Sequence, residues 1–228
     1  MKIVTIYGQQ HKGNTYRLTQ LLLSELNTLF KKSDTPEIKE FYVNGTSQCL
    51  GCAQCIMKDE ELCPHREEIY PVLSAIEAAD LIILASPNYC MNMSGQMKTF
   101  CDHMAYRWMA HRPFDMRQKT GAVISTAAGS GAGKVTKLLK EQLQWWSVGH
   151  VFRLPQIIWD MNWEDGSYPQ MKKLKKKVRK TAGRIYKNMC RPRTEYKLSF
   201  LFFIMKNMHK GTMCPPFERE YWKEQHLI

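Results

Sequence analysis

A regular alternation of short apolar runs with amphipathic helical patterns constrains the fold of this chain more than any other feature. Five runs have the composition of buried strands, at residues 3–7, 38–43, 81–85, 121–126 and 151–158. Helical patterns follow them at residues 15–32, 67–79, 94–108, 132–146 and from Met171 onward. Strands that alternate with helices join through right-handed crossovers, so the sequence predicts an α/β fold with a three-layer, doubly wound parallel sheet.

Length and composition favour one globular domain. The 228 residues fit a single core, and 44% hydrophobic with 24% charged residues is typical of a globular protein. The segment from Met1 to Tyr7 is strand-like and lacks the apolar core of a signal peptide, and the apolar run from Leu198 to Met205 is too short to cross a bilayer. We therefore expect a cytoplasmic protein that does not insert into a membrane.

The net charge of +12 comes from the last quarter of the chain. Residues 172–228 contain 16 Lys and Arg against 4 Asp and Glu, whereas residues 1–171 contain 17 of each. Many of the lysines surround the apolar stripe of the helix that starts near Met171, so a solvated basic face is the simplest interpretation, and attraction of an acidic partner is the alternative. No nucleic-acid reading motif or interleaved aromatic residue accompanies these lysines, so nucleic acid is not an expected partner.

Three polar loops follow the first, third and fourth predicted strands. They run from Gly8 to Thr15, from Ser86 to Gly95 and from Ser125 to Gly133. Each loop ends a strand and opens a helix, and the carboxyl ends of parallel strands share one edge of the sheet, where such folds bind ligands. We therefore expect the three loops to enclose one ligand.

The first loop has the properties of an anion site. Gly8 and Gly13 allow close approach of the backbone, Asn14 and Thr15 supply hydrogen bonds at a helix start, and His11 adds positive character. The GxGxxG spacing of dinucleotide sites is absent, so a phosphate monoester is favoured over a pyrophosphate.

The third loop resembles a nucleoside-triphosphate P-loop but does not meet its requirements. Ala128 stands where the P-loop needs its first glycine, and Val135 stands where it needs Ser or Thr. Together with the first loop, this narrows the expected ligand to a mononucleotide.

Four cysteines between the second and third strands form a compact pattern of potential metal ligands. Cys49, Cys52, Cys55 and Cys63 have the spacing Cys-x2-Cys-x2-Cys-x7-Cys and lie in the long connection 44–66. Thiolates at x2 spacing commonly hold a [4Fe-4S] cluster, although the x7 gap is longer than in ferredoxins. Zinc and free redox-active thiols are the alternatives, zinc being less favoured because its sites usually use two separated Cys-x2-Cys pairs.

These features together resemble the flavodoxin-like NADPH-dependent FMN reductase family, and more closely its iron-sulfur flavoprotein branch. The resemblance is carried by the Gly-(polar)4-Gly-Asn-Thr loop, by the segment from Ser86 to Lys98 after a Leu-Ile-Ile-Leu strand, and by the cysteine cluster. It implies a five-stranded parallel sheet in the order 2-1-3-4-5, with a cysteine-rich insertion after strand two and a C-terminal arm. Relatives commonly have Ser-Pro-Arg where this chain has Gln9-Gln10-His11, so the phosphate would be neutralised differently here.

The resemblance implies that the first loop holds the phosphate of FMN and that the other two surround its ribityl chain and ring. The expected contacts are Gly8, Gln9, His11, Gly13, Asn14 and Thr15 in the first loop, Pro87, Asn88, Tyr89, Cys90, Met91, Asn92, Met93 and Ser94 in the second, and Thr126, Ala127, Gly129 and Gly131 in the third. No side chain is singled out as a general acid or base, which suits an enzyme whose cofactor carries the hydride chemistry.

The implied function is an FMN-dependent oxidoreductase that passes electrons from NAD(P)H to a small acceptor, such as a quinone, a nitro compound or a flavin. The alternative is an iron-sulfur flavoprotein that carries electrons between redox proteins, with the basic tail docking an acidic ferredoxin. Residues 1–190 would form the FMN-binding domain. Residues 191–228 would form an ordered extension that contacts a second subunit, in a homodimer or homotetramer.

Overall fold

The computed structural model describes residues 1–31, 34–112, 116–160, 169–211 and 213–228. The strands are Lys2–Tyr7 (β1), Glu37–Tyr42 (β2), Leu81–Ala85 (β3), Thr120–Ala127 (β4) and His150–Ile157 (β5). The α-helices within the described residues are Asn14–Asn27 (α1), Gln54–Met57 (α2), Arg66–Ala78 (α3), Gly95–Asp102 (α4), Ala132–Trp145 (α5), Met171–Cys190 (α6), Tyr196–Lys210 (α7) and Pro216–Glu224 (α8). Short 3-10 helices cover Val43–Gly45, Glu60–Leu62, Ala105–Ala110 and Met116–Gln118.

The five strands form one sheet in the order β2-β1-β3-β4-β5, and all neighbouring strands are parallel. This confirms the predicted order and the α/β fold. Since β1 and β3 are adjacent, as are β3 and β4, the loops that follow these three strands emerge side by side at one edge of the sheet.

The central strand β3 shows how the sheet buries both of its faces. Ile82 and Leu84 belong to the core layer beneath α3, α4 and α5, while Leu81 and Ile83 belong to the layer beneath α1 and α6. Each of these side chains is fully buried, which stabilises the fold by about 1.5–3 kcal/mol per residue. The uninterrupted apolar run of β3 follows from this two-sided burial.

Two of the predicted helices differ from the structure by more than one residue at an end. The first helix ends at Asn27, short of the predicted end, and its predicted last residue Lys32 lies outside the described residues. The pattern over 94–108 divides into α4 and the 3-10 helix Ala105–Ala110. The 3-10 helix positions Arg107, which is buried and forms an ion pair with Glu77 of α3. Helical periodicity in the sequence does not predict this tertiary contact.

The C-terminal arm consists of α7 and α8. Phe202, Met205 and Trp222 form its own small core. Glu195, just before α7, holds the arm to the sheet, because its carboxylate accepts hydrogen bonds from Lys140 Nζ at 2.9 Å and from the backbone N–H of Val151 at 3.1 Å. Within the described residues, no helix is long and apolar enough to span a membrane.

We expect Glu195→Gln to lower the free energy of unfolding by about 1–3 kcal/mol at pH 7, because charge-assisted hydrogen bonds are lost. Burial alone would raise the pKa of Glu195, but the hydrogen bonds from Lys140 and Val151 hold it below its usual value. The ionised carboxylate therefore stabilises the fold at neutral pH, and this contribution is lost as the pH falls through the lowered pKa. Urea denaturation over a series of pH values should show a constant difference between the variant and the native chain above pH 5, and a shrinking difference only below the usual carboxyl pKa of 4.5. Glu220→Gln is the control, since that exposed carboxylate forms a surface ion pair with Lys223. An equal loss of stability in both variants would contradict the role given to Glu195.

Candidate functional site

The three loops meet at the carboxyl edge of the sheet, and backbone hydrogen bonds join them. The N–H of Gly8, directly after β1, donates to the carbonyl of Ala85 at 2.9 Å. The N–H of Asn88 in the second loop donates to the carbonyl of Thr126 in the third at 3.0 Å. The sheet ladder thus continues into the loops and fixes their relative positions.

Side-chain hydrogen bonds also join the loops in pairs. They connect the hydroxyls of Thr15 and Thr126 at 2.7 Å, Tyr89 Oη with Gln9 Oε1 at 2.7 Å, and Asn88 Nδ2 with the carbonyl of Ser130 at 3.0 Å. Every one of these contacts links a different pair of loops. Most of the residues were predicted as ligand contacts, but their pairing was not.

Helix α1 presents its N-terminus to this junction. Gly13 is its N-cap residue, so the N-cap position offers no side chain to cap the helix. The N–H groups of the first turn of a helix have no intrahelical partner, and the helix dipole favours an anion there. Asn14 Nδ2 donates to the carbonyl of Asp160 at 3.2 Å, which connects the helix start to the chain that follows β5. Lys12 lies over the ring of Tyr16, 5.4 Å from Nζ to the ring centroid.

The second loop makes a tight turn with an exposed tip. Cys90 and Met91 have φ angles of 48° and 61°, in the left-handed region that is unfavourable for side-chain-bearing residues. Tyr89 and Asn92 flank them, and each donates its backbone N–H to the carbonyl of the other at 2.9 Å. The turn leaves Tyr89 and Met91 about half exposed, although both are large apolar side chains.

Met93 and Ser94 point into the protein instead. Met93 is buried in the core layer beneath α4 and α5. Ser94 Oγ donates to the carbonyl of Gly8 at 2.7 Å, and the N–H of Ser94 donates to Ser86 Oγ at 2.9 Å. These two residues therefore hold the first and second loops to the interior of the protein. Their position in the sequence did not predict this role.

The third loop approaches the second very closely at Gly131. This residue has a φ of 98°, and a Cβ atom there would lie 2.6 Å from Asn88 Oδ1. Asn88 Oδ1 is buried and has no hydrogen-bond partner among the described residues. Thr126 and Ala127 are also buried, whereas Gly129 is exposed with no atom near its Cβ position.

The cysteine connection lies beside the first loop. Asn44 Nδ2, at the start of this connection, donates to Gln10 Oε1 at 3.3 Å. Burial raises the pKa of the Cys55 thiol, and the charge interactions with Cys63, Cys49 and Cys52 raise it further. Cys49 and Cys52 are exposed, and the other two are half-buried.

A histidine that the sequence did not single out lies behind the cysteines. His103, at the end of α4, has Nε2 2.7 Å from the carbonyl of Ser47 and Nδ1 4.0 Å from Cys63 Sγ. Because a carbonyl only accepts hydrogen bonds, Nε2 carries a proton, and Nδ1 faces the sulfur of Cys63. Arg112 closes the other side of the connection by donating to the carbonyl of Ile56 at 3.2 Å.

Comparison with known proteins assigns the chain to a family. Residues 1–180 match the family model of NADPH-dependent FMN reductases. The chain belongs to this family. An iron-sulfur flavoprotein of Archaeoglobus fulgidus is 34% identical over 146 residues, which cover 61% of this chain and 63% of that protein.

Solved structures show the same fold as this member of the FMN reductase family. The apo form of an NADH:FMN oxidoreductase superposes with a TM-score of 0.57 at 16% identity, over 82% of this chain and 89% of the other. An archaeal flavodoxin gives a TM-score of 0.51 at 13% identity, over 83% and 99%. At these identities the likeness establishes the flavodoxin-like fold alone.

Proposed function

We propose that the chain is a flavin-dependent oxidoreductase that binds FMN at the three carboxyl-edge loops and passes electrons from NAD(P)H to a small acceptor. The observation that carries this proposal is the hydrogen-bonded junction of the three loops around the start of α1, in a member of the FMN reductase family. When bound, FMN supplies the hydride and electron transfer. The residues of the chain bind it, orient it and limit its access to water.

The polar groups at the junction fit a flavin mononucleotide. One helix start whose N-cap residue is a glycine suits one phosphate group, and one hydroxyl of the Thr15–Thr126 pair keeps a hydrogen that it can donate to a ligand. The unpartnered Asn88 Oδ1 is an acceptor of the kind that the ring N–H of a flavin requires. A buried acceptor without a partner costs about 1–3 kcal/mol, so a ligand that donates to it gains affinity.

The exposed tip of the second loop is suited to covering an aromatic ring. Tyr89 and Met91 present apolar surface that the protein itself does not bury, and the left-handed turn at Cys90 and Met91 stores about 1–2 kcal/mol per residue. Strain of this kind is retained where a binding site needs a particular loop shape. We propose that these side chains lie against the flavin ring and keep water from one of its faces.

We propose further that Cys49, Cys52, Cys55 and Cys63 hold a [4Fe-4S] cluster. Zinc binds thiolates at about 2.3 Å, so sulfur ligands of one ion lie within about 4.6 Å of each other. All four cysteines are among the described residues, and no three of them have their Sγ atoms within 4.8 Å of one another. A multi-iron cluster binds each sulfur to a separate iron and suits a wider arrangement. The name of the Archaeoglobus relative, an iron-sulfur flavoprotein, agrees with this assignment.

A second candidate function, electron transfer between redox proteins, is favoured by α6. Its buried stripe includes Leu174, Val178 and Ile185, and lysines such as Lys172 and Lys173 lie exposed around it. A basic surface of this kind attracts acidic proteins and raises their association rate at low salt.

Anaerobic steady-state oxidation of NAD(P)H tests the proposed function. With FMN bound and a quinone or nitro compound present, we expect many turnovers per chain. An electron carrier would show almost no turnover with these acceptors but would oxidise a reduced acidic ferredoxin, with a rate that falls as salt is added. A folded preparation that does not bind FMN would contradict both functions.

A further inference from the structure

Three potential metal ligands, none of them a cysteine or a residue of the flavin loops, converge between the C-terminal arm and the body of the fold. His111 follows the 3-10 helix Ala105–Ala110, His209 is on α7 and Glu218 is on α8. Glu218 Oε2 lies 2.9 Å from His111 Nδ1 and 3.0 Å from His209 Nε2. One ligand atom from each residue lies within 4.8 Å of the other two, the one such group among the described residues.

The second ring nitrogen of His209 fixes its tautomer. His209 Nδ1 lies 2.7 Å from the carbonyl of Met205, and a carbonyl only accepts, so Nδ1 carries the hydrogen. The lone pair of Nε2 then faces Glu218 Oε2, which is also an acceptor. Two acceptors at 3.0 Å attract each other only with a cation between them, either a proton or a metal ion. A backbone carbonyl on the far nitrogen is also the usual outer partner of a metal-binding histidine.

The second oxygen of Glu218 has a different partner. Arg112 Nε lies 3.5 Å from Glu218 Oε1, and the same guanidinium forms an ion pair with Glu60. Because Glu60 already offsets the charge of Arg112, the arginine can hold and orient the carboxylate while Oε2 remains directed at the two histidines.

The surroundings give the group a closed side and an open side. The side chains of His209 and Glu218 are 0% and 3% exposed, while that of His111 is 34% exposed. Trp222 stacks on the His209 ring with centroids 4.4 Å apart, and its Nε1–H donates to the carbonyl of His111 at 2.6 Å. Of these three side chains, that of His111 is the one that solvent reaches, so a water molecule would approach as a fourth ligand on its side.

We propose that His111, His209 and Glu218 bind a zinc ion that fastens the C-terminal arm to the body of the protein. Two imidazole nitrogens, one carboxylate oxygen and a water molecule are a common ligand set for zinc. The ligands come from three separate segments, so the ion would lock α7 and α8 against the 3-10 helix. This inference is independent of FMN binding and of the occupant of the cysteine cluster.

The test is a zinc titration of the full chain with Cys49→Ser and Cys52→Ser, which takes two of the four thiols from the competing cysteine site by changing two exposed residues. After dialysis against a chelator, calorimetry should show one zinc ion bound per chain. At a free zinc concentration about a hundred times Kd, the melting temperature should rise by roughly 5–10 °C. His111→Ala should weaken binding at least a hundredfold and abolish the rise, while keeping the backbone carbonyl that Trp222 uses. His226→Asn, an exposed histidine of the same arm, should behave as the parent.

Cobalt provides a second measurement that does not depend on the cysteine variants. The difference between the Co²⁺ spectra of the native chain and His111→Ala should show the weak bands of nitrogen and oxygen ligands without a thiolate charge-transfer band. Absence of saturable zinc binding to folded protein would overturn the proposal and leave a protonated histidine pairing with Glu218. Binding that His111→Ala does not weaken would overturn it too, since the ion would then lie elsewhere.

Discussion

Serine at both Cys49 and Cys52 should remove the iron from protein purified without oxygen while leaving FMN binding intact. The native chain is expected to carry about four irons, each bound to one thiolate. Losing two of the four thiolates leaves two irons without a protein ligand, so we expect less than about one iron per chain in the variant. Both side chains are exposed, and the core does not depend on them. Iron content and the visible absorption of the cluster, recorded beside flavin fluorescence, measure the two effects separately.

Cys190→Ser is the matched control for this experiment. Cys190 is also exposed, but it lies at the end of α6, far along the chain from the cysteine connection. Its replacement should change neither the iron nor the flavin content. Native protein that contains zinc or no metal, or a double variant that retains its iron, would show that the cysteine connection does not hold the cluster.

The parallel sheet could be predicted from sequence because burial on both faces leaves a strong local signal. Residues 81–85 were predicted as a strand, and β3 has these bounds. The edge strand β2 has exposed charged residues on both faces, so its predicted bounds were shifted by one residue and included Val43, which starts a 3-10 helix. The shared edge of the loops followed from topology alone and required no knowledge of side-chain positions.

The pairing of side chains within the sites could not be predicted, because the partners are far apart in the chain. Thr15 and Thr126 are separated by 111 positions, and His111 and Glu218 by 107. No spacing rule connects such residues. Met93 shows a second limit, since a loop has no periodicity to indicate whether a side chain faces a ligand or the core.

Gly131→Val is expected to weaken FMN binding at least a hundredfold. The φ of 98° at this position is unfavourable for any residue with a Cβ atom, and most of all for a β-branched one. The new Cβ would also collide with the side chain of Asn88, which holds the second loop to the third through its hydrogen bond to Ser130. Backbone strain of about 1–3 kcal/mol, added to the displacement of Asn88, corresponds to a hundredfold loss of affinity for FMN. Quenching of FMN fluorescence during titration into folded protein measures the affinity.

Gly133→Ala separates this effect from a general response of α5 to a larger side chain. Gly133 is only two residues away, has no atom within 4 Å of its Cβ position and lies inside the helix, where alanine is favoured over glycine by about 1 kcal/mol. Its affinity for FMN should therefore equal that of the native chain, with stability unchanged or slightly higher. Circular dichroism of both variants establishes that each is folded before the affinities are compared. If folded Gly131→Val bound FMN as tightly as the native chain, the close approach of the second and third loops would not contribute to flavin binding. The ring of the flavin would then bind at another part of the sheet edge.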